Sequence, residues 1–304
     1  MGIDKEIKKR VISRREAIKT AEIEHPLPRT GCRDVGSYAE EKLRCIRGYL
    51  YVYSKIISKN FPTSDFYYVE THSGPGVCKV RGSGRKILGS PLLALTNEPF
   101  FKKFRFIELD NNCARSLRMR VNKYCPLPVK GTTKIFRRDC NQVINKILNE
   151  FEDSIPCLII IDPENASQLK WTTLEACSKK NSELYINFTY DMDMKRRLLE
   201  KDLPTTDEDI KSITEFYGCK DWMQIRKDYL SGKIFPSTAR EKFLGLYMKR
   251  IQDLLNYASV VPSEIIRGEK NQPLYYLIHA CRKEVARRTM RQIMRVDYKQ
   301  TKLD

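Results

Sequence analysis

Apolar and polar positions follow one rhythm in the first two thirds of the chain and another afterwards. Five short runs rich in aromatic and β-branched residues fall at 66–70, 104–108, 133–136, 157–161 and 184–187. Helical or irregular segments separate them, and strand–helix–strand order at this spacing predicts parallel pairing with right-handed crossovers. Leu158-Ile159-Ile160-Ile161 is apolar without alternation, the pattern of a central strand covered on both faces. Upstream, positions 38–58 carry Leu43, Ile46, Leu50, Tyr53 and Ile57 on one helical face. Residues 1–30 read as a charged helical segment that ends at His25-Pro26-Leu27-Pro28, where two prolines break it.

After Asn187 the pattern turns to helices and polar loops, with helices predicted over 207–217 and 240–255. Two strand-like runs, 257–266 and 274–280, then flank a turn-rich 267–273, which is a hairpin signal. The predicted fold class is α/β: a doubly wound, mainly parallel sheet of about seven strands closed by a C-terminal antiparallel hairpin, with N-terminal helices and a helical insertion. The expected divisions are an N-terminal extension (1–60), a Rossmann-like core (61–190), a helical insertion (191–256), the hairpin (257–282) and a basic tail (283–304).

Composition narrows the class further. The chain has 304 residues, 41% hydrophobic and 31% charged, enough to bury a substantial core. No apolar run approaches the roughly 20 residues of a membrane span, so no membrane association is expected. The stretch from Met1 to Arg15 is too charged for a signal peptide. Ten cysteines are scattered without CxxC spacing, which predicts reduced thiols and a cytoplasmic protein. His25, His72 and His279 lie far apart, so no metal site is expected.

The net charge of +18 is unevenly spread. Positions 111–138 hold eight Lys and Arg and no acid, and 77–89 hold Lys79, Arg81, Arg85 and Lys86, again without an acid. The tail adds Arg282, Lys283, Arg287, Arg288, Arg291 and Arg295. Clustering of this kind predicts a nucleic-acid partner, RNA or DNA; the competing reading is a solvated, lysine-rich surface.

The chemistry concentrates at strand ends. The run 66–70 ends in Glu70 and passes into Thr71-His72-Ser73-Gly74-Pro75-Gly76; the run 104–108 ends in Glu108-Leu109-Asp110. Glycines let a backbone approach a ligand closely, and a carboxylate after the second strand accepts from ribose hydroxyls, so the pair suits an adenosine-bearing ligand. Glu70, Ser73, Gly74, Gly76, Glu108, Asp110 and Asp139 are the candidate cofactor-binding residues. Five of them have a structural alternative: a turn for Glu70 and the glycines, a helix cap for Asp110 and Asp139. Asp162-Pro163-Glu164-Asn165 follows the most apolar strand, where doubly wound sheets place their chemistry. Asp162, Pro163 and Glu164 are the candidate catalytic residues, and Asn187 completes the rim. No GxGxxG turn or GxxxxGK[ST] run is present, which weighs against a dinucleotide oxidoreductase and a P-loop nucleotidase.

A parallel sheet finished by an antiparallel hairpin resembles the layout of class I S-adenosylmethionine-dependent methyltransferases. The order of motifs resembles the three-Cys-motif partner family of methyltransferase-like proteins. The matching segments run from Tyr38-Ala39-Glu40-Glu41-Lys42-Leu43 through Ser73-Gly74-Pro75-Gly76, Gly89-Ser90-Pro91-Leu92-Leu93-Ala94-Leu95 and Phe106-Ile107-Glu108-Leu109-Asp110. They continue with Arg138-Asp139-Cys140-Asn141, Ile161-Asp162-Pro163, Ile186-Asn187-Phe188, Phe216-Tyr217-Gly218 with Trp222, and Pro273-Leu274-Tyr275-Tyr276-Leu277. The resemblance implies S-adenosylmethionine as cofactor and a separate cysteine-motif protein as partner. Amino-methylating enzymes carry Asp-Pro-Pro-aromatic at the acceptor site; here Asn165 replaces the aromatic, which leaves a methyltransferase and a non-catalytic partner subunit both open.

Overall fold

The computed structural model describes residues 21–23, 26–60, 65–99, 101–125, 127–199 and 205–283. Most of the expected N-terminal helix and of the basic tail lies outside them. The chain divides into two compact units: residues 1–140 with 155–158, and residues 141–154 with 159–304.

The first unit opens with strand β1 (Arg33–Val35) and helix α1 (Tyr38–Asn60), followed by β2 (Tyr67–Glu70), β3 (Val77–Val80) and β4 (Lys86–Leu88). Then come α2 (Ser90–Leu95), β5 (Lys103–Ile107), α3 (Asn111–Tyr124), α4 (Leu127–Thr132) and β6 (Thr133–Phe136). Parallel pairing joins β2 to β5 and β5 to β6, as the crossover spacing requires. A second, small sheet in the order β1–β3–β4 has no counterpart in the sequence pattern. α1 buries Leu43, Ile46, Leu50 and Tyr53, the predicted face. Against it, Asn97 donates from Nδ2 to Leu50 O (3.2 Å) and Ser54 Oγ (2.9 Å). Tyr53, Phe66, Tyr68, Phe101, Phe104 and Phe106 form one aromatic cluster with centroid spacings of 4.9 to 6.4 Å. Rings packed edge-to-face and offset at such spacings fill the core beneath the strand ends.

The second unit takes helix α5 (Cys140–Leu148) from its second residue on and most of β7 (Cys157–Ile161), whose first two residues count with the first unit. Next are α6 (Trp171–Ser178), β8 (Ser182–Phe188), a π-helical turn at Tyr190–Met194, α7 (Lys195–Leu199), α8 (Asp207–Tyr217), α9 (Trp222–Leu230) and α10 (Pro236–Leu255). Strands β9 (Ser259–Pro262), β10 (Ile266–Arg267) and β11 (Pro273–Cys281) end the described chain. β11 runs antiparallel to β8, with Leu277 opposite Asn187, and antiparallel to both β9 and β10. Seven strands stand in the order β10–β11–β8–β7–β2–β5–β6, with β9 beside β11. The result is an α/β fold with a mainly parallel sheet ending in an antiparallel hairpin.

Several conspicuous motif residues serve packing. Gly218 ends α8 at φ +65°, where a Cβ would run into the Trp171 side chain. Tyr217 Oη donates to Phe243 O (3.0 Å), and Trp222 Nε1 to Thr214 Oγ1 (3.3 Å). All ten cysteines are free thiols. Among the described residues no helix is long and apolar enough to cross a membrane.

Candidate functional site

The glycine loop after β2 is shaped by its backbone. Gly74 and Gly76 sit at φ +63° and +85°, a region open to glycine and strained for other residues. A Cβ on Gly76 would stand 3.0 Å from Leu117 Cδ1 and 3.2 Å from Leu92 Cγ. Gly89 N donates to Gly76 O (2.8 Å), and a Cβ on Gly89 would press on that carbonyl. Ser73 N donates to Ile107 O (3.0 Å), tying the loop to the end of β5.

The two carboxylates of the second strand end part company. β5 stops at Ile107, one residue earlier than the apolar pattern suggests, so strand alternation no longer governs Glu108 and Asp110. Glu108 is buried; its Oε2 accepts from Gly74 N (2.6 Å) and its Oε1 from Asp110 N (2.9 Å). That answers the cost of a buried charge with charge-assisted bonds to the loop. Asp110 is exposed and caps α3, accepting from Cys113 N (2.7 Å). That amide bond holds its carboxyl below the usual range, with a smaller contribution from Arg33. Burial, then the bond to Asp110, pushes the Cys113 thiol up to about 12. Between the two acids, Leu109 stands 69% exposed.

Glu70 is fully buried, not a surface cap. It accepts from Tyr68 Oη (2.9 Å) and from the Ser90 hydroxyl, and so binds the start of α2 to the end of β2. Ser73 Oγ is buried and has no hydrogen-bond partner. His72 shares a 2.7 Å hydrogen bond with Thr71 Oγ1 and lies 3.7 Å from Cys140 Sγ. Asp139 is half-buried immediately before α5.

Residues without a sequence signal complete this half. Arg120 is fully buried, while Arg115, Arg118, Lys123, Lys134, Arg137 and Arg138 of the same stretch are exposed. Its Nε donates to Glu22 Oε1 (2.8 Å), and its Nη1 to Gly31 O (2.8 Å) and Pro75 O (2.6 Å). Arg33 reaches the loop too, 3.9 Å from where a Cβ on Gly74 would stand. By contrast Lys79, Arg81 and Arg85 are exposed and Lys86 half-exposed on the β3–β4 hairpin; Arg85 pairs with Glu40 at 2.5 Å.

In the second unit Asn187 Nδ2 donates to Asp162 Oδ1 (2.8 Å) and Pro163 O (3.3 Å). Two acceptors on one side fix the amide's orientation, and Asn187 Oδ1 is buried without a partner. Pro163 is buried, Glu164 is exposed, and Glu164 N donates to Gln168 Oε1 (2.8 Å). Asn165 accepts from Ser167 Oγ (2.5 Å) and precedes a 3-10 turn at Ala166–Gln168. Asp193 Oδ2 receives Ala166 N (2.9 Å) and Arg197 Nη1 (3.2 Å), anchoring this loop. Asn141 holds its far end, accepting from Lys170 N (2.9 Å) and Thr173 Oγ1 (2.8 Å). The described residues contain no cluster of three metal-ligating side chains.

Strand order and the closing hairpin define the class: this is the class I methyltransferase fold. No family model matches the chain, and no curated protein matches it. Similar solved structures include a Legionella pneumophila protein, 12% identical over 83% of this chain and 92% of that one, at a TM-score of 0.46. A cofactor-bound protein from MTB is 12% identical over 89% and 90%, at 0.43. The O-methyltransferase TomG from Streptomyces achromogenes, in complex with SAM, is 11% identical over 88% of each chain, at 0.42. At such scores these likenesses describe shared architecture and carry no argument about activity.

Proposed function

We propose that the chain is an S-adenosylmethionine-dependent methyltransferase acting on or with nucleic acid. The observation that carries the reading is the buried Glu108 carboxylate clasped to Gly74 in a loop that also buries the unpartnered Ser73 hydroxyl. A carboxylate has about four acceptor positions, and two of those on Glu108 are filled from the backbone. The remainder suit the ribose diol, and exposed Leu109 gives an apolar face for an adenine. Gly74 and Gly76 keep side chains out of the space the cofactor needs, and we assign Asp139 to the adenine amine. Glu70 acts one step back, holding Ser90 and the loop in shape. The acceptor chemistry of these residues thus suits the hydroxyls of the group.

The cofactor supplies an activated methyl group, so the protein's task is to orient and desolvate the acceptor. Asp162, steadied by Asn187, is the group we assign to the acceptor: its carboxylate accepts a hydrogen bond from the nucleophile and can take its proton. Pro163 stiffens the turn, and Glu164 is a second carboxylate on the loop. Exposed Lys79, Arg81 and Arg85, with Lys86, are assigned to phosphate contacts. The motif order supports membership of the three-Cys-motif partner family and association with a cysteine-motif protein. A non-catalytic partner subunit is the second reading, favoured by Asn165, which bonds within its own loop where an aromatic platform would stand.

The test is transfer of labelled methyl groups to total RNA, DNA and protein from a strain lacking the gene, with and without the cysteine-motif partner. Asp162→Asn is expected to keep cofactor affinity and lower turnover by about 10- to 1000-fold, the scale of one lost positioned polar group. Transfer that Asp162→Asn leaves untouched overturns the acceptor assignment. Absence of transfer with tight cofactor binding selects the partner-subunit reading.

A further inference from the structure

The first unit places a cation at the cofactor loop that the sequence gives no reason to single out. Arg33 belongs to β1, upstream of the Rossmann-like core, and its half-buried side chain crosses to the loop. A Cβ on Gly74 would lie 3.9 Å from Arg33 Cζ and 4.0 Å from Nε. The guanidinium thus lies toward the side of Gly74 where any other residue would carry a side chain. Its charge is felt at Asp110 and Cys113, at the start of α3.

This position is held firmly. β1 pairs in parallel with β3 in a register that sets Arg33 opposite Cys78. Arg81 N donates to Val35 O (2.8 Å) at one end of β1. Near the other end Gly31 N donates to Ser116 Oγ (2.9 Å), and Gly31 O accepts from Arg120 Nη1 (2.8 Å). The same Arg120 nitrogen donates to Pro75 O in the glycine loop, so one buried side chain fixes the approach to β1 and the loop together.

We infer that Arg33 recognises the α-carboxylate of the cofactor's methionine moiety. The inference rests on the S-adenosylmethionine reading above and assigns the ligand's one anionic group to a residue. A guanidinium carries five donors in a planar fork, a geometry that matches a carboxylate. The ribose hydroxyls serve Glu108 as donors. The α-carboxylate is the group of the cofactor that matches Arg33.

Two product-like probes separate this role from a structural one. S-adenosylhomocysteine carries the α-carboxylate, and 5′-methylthioadenosine has the same adenosine without the amino acid. Both are titrated calorimetrically into the full chain, native and as Arg33→Gln and Arg33→Lys, with melting temperatures recorded for each variant. The native chain is expected to bind S-adenosylhomocysteine the more tightly. Arg33→Gln should weaken that ligand by about 10- to 100-fold, the scale of a charge-assisted hydrogen-bond pair, and leave 5′-methylthioadenosine unchanged within about threefold. Arg33→Lys should fall between native and Arg33→Gln. Equal losses for both probes, or no loss for either, overturn the inference while the cofactor reading stands. Native chain that binds neither probe overturns the cofactor reading and the inference with it.

Discussion

Arg120 stands among eight cations in an acid-free stretch, yet it lies fully buried with Glu22 and two backbone carbonyls. Taking one partner from a buried ion pair leaves a charge without compensation and costs about 3–5 kcal/mol. Glu22→Gln and Arg120→Met are each expected to lower unfolding stability on that scale, read from urea midpoints. The double variant Glu22→Gln/Arg120→Met should lose less than the sum. Charge density in a sequence says nothing about which cation finds a buried acceptor 98 positions away. The glycines were legible for the opposite reason: Gly74 and Gly76 answer a local backbone demand written in adjacent residues. Glu108 and Asp110 fall between these cases, because their separate roles depend on β5 ending at Ile107.

At the scale of elements, periodicity was enough for several segments that bury one face or both. β6 and β7 occupy the predicted 133–136 and 157–161, and α8 the predicted 207–217. β1, β3 and β4 escaped notice because three or four residues from a glycine-rich, cationic stretch carry no readable alternation. That small sheet is what brings Arg33 to the glycine loop. α8 had stronger signals: Thr206 and Asp209 form a capping box, the Thr206 hydroxyl receiving Asp209 N and the Asp209 carboxylate receiving Thr206 N. Thr206→Ala should cost about 1 kcal/mol in urea denaturation. Burial works against ionisation of Asp209, but bonds from Arg197 and Thr206 together outweigh it and hold its pKa below the usual value. A lowered folded-state pKa contributes stability above the unfolded carboxylate range, about 4, and loses it as pH falls through the folded value. Stability compared at pH 7 and pH 3 should therefore drop less in Asp209→Asn than in the native chain.

For the whole molecule, the net charge of +18 and the exposed hairpin cations predict salt-dependent binding to polyanions. Reversing Arg81, Arg85 and Lys86 to Glu should weaken single-stranded RNA or DNA binding. It should also reduce the log–log salt slope by about 2–3, near one unit per lost phosphate contact. Cofactor affinity should stay unchanged. Binding that is undetectable or insensitive to salt in the native chain contradicts the nucleic-acid assignment. The fold class was legible as a whole, since strand order and the terminal hairpin both follow from pattern. The hydrogen bond from Asn187 to Asp162 was not, because it joins two strand ends 25 positions apart.

The central claim is that the loop between β2 and β3, together with Glu108, holds an adenosyl cofactor. Calorimetric titration of S-adenosylhomocysteine into the native full chain and into Glu108→Gln tests this most directly. Saturable binding at one site per chain, weakened about tenfold or more in Glu108→Gln at a retained melting temperature, is the predicted result. A native chain that releases no heat, and whose melting temperature does not move at saturating ligand, would contradict it.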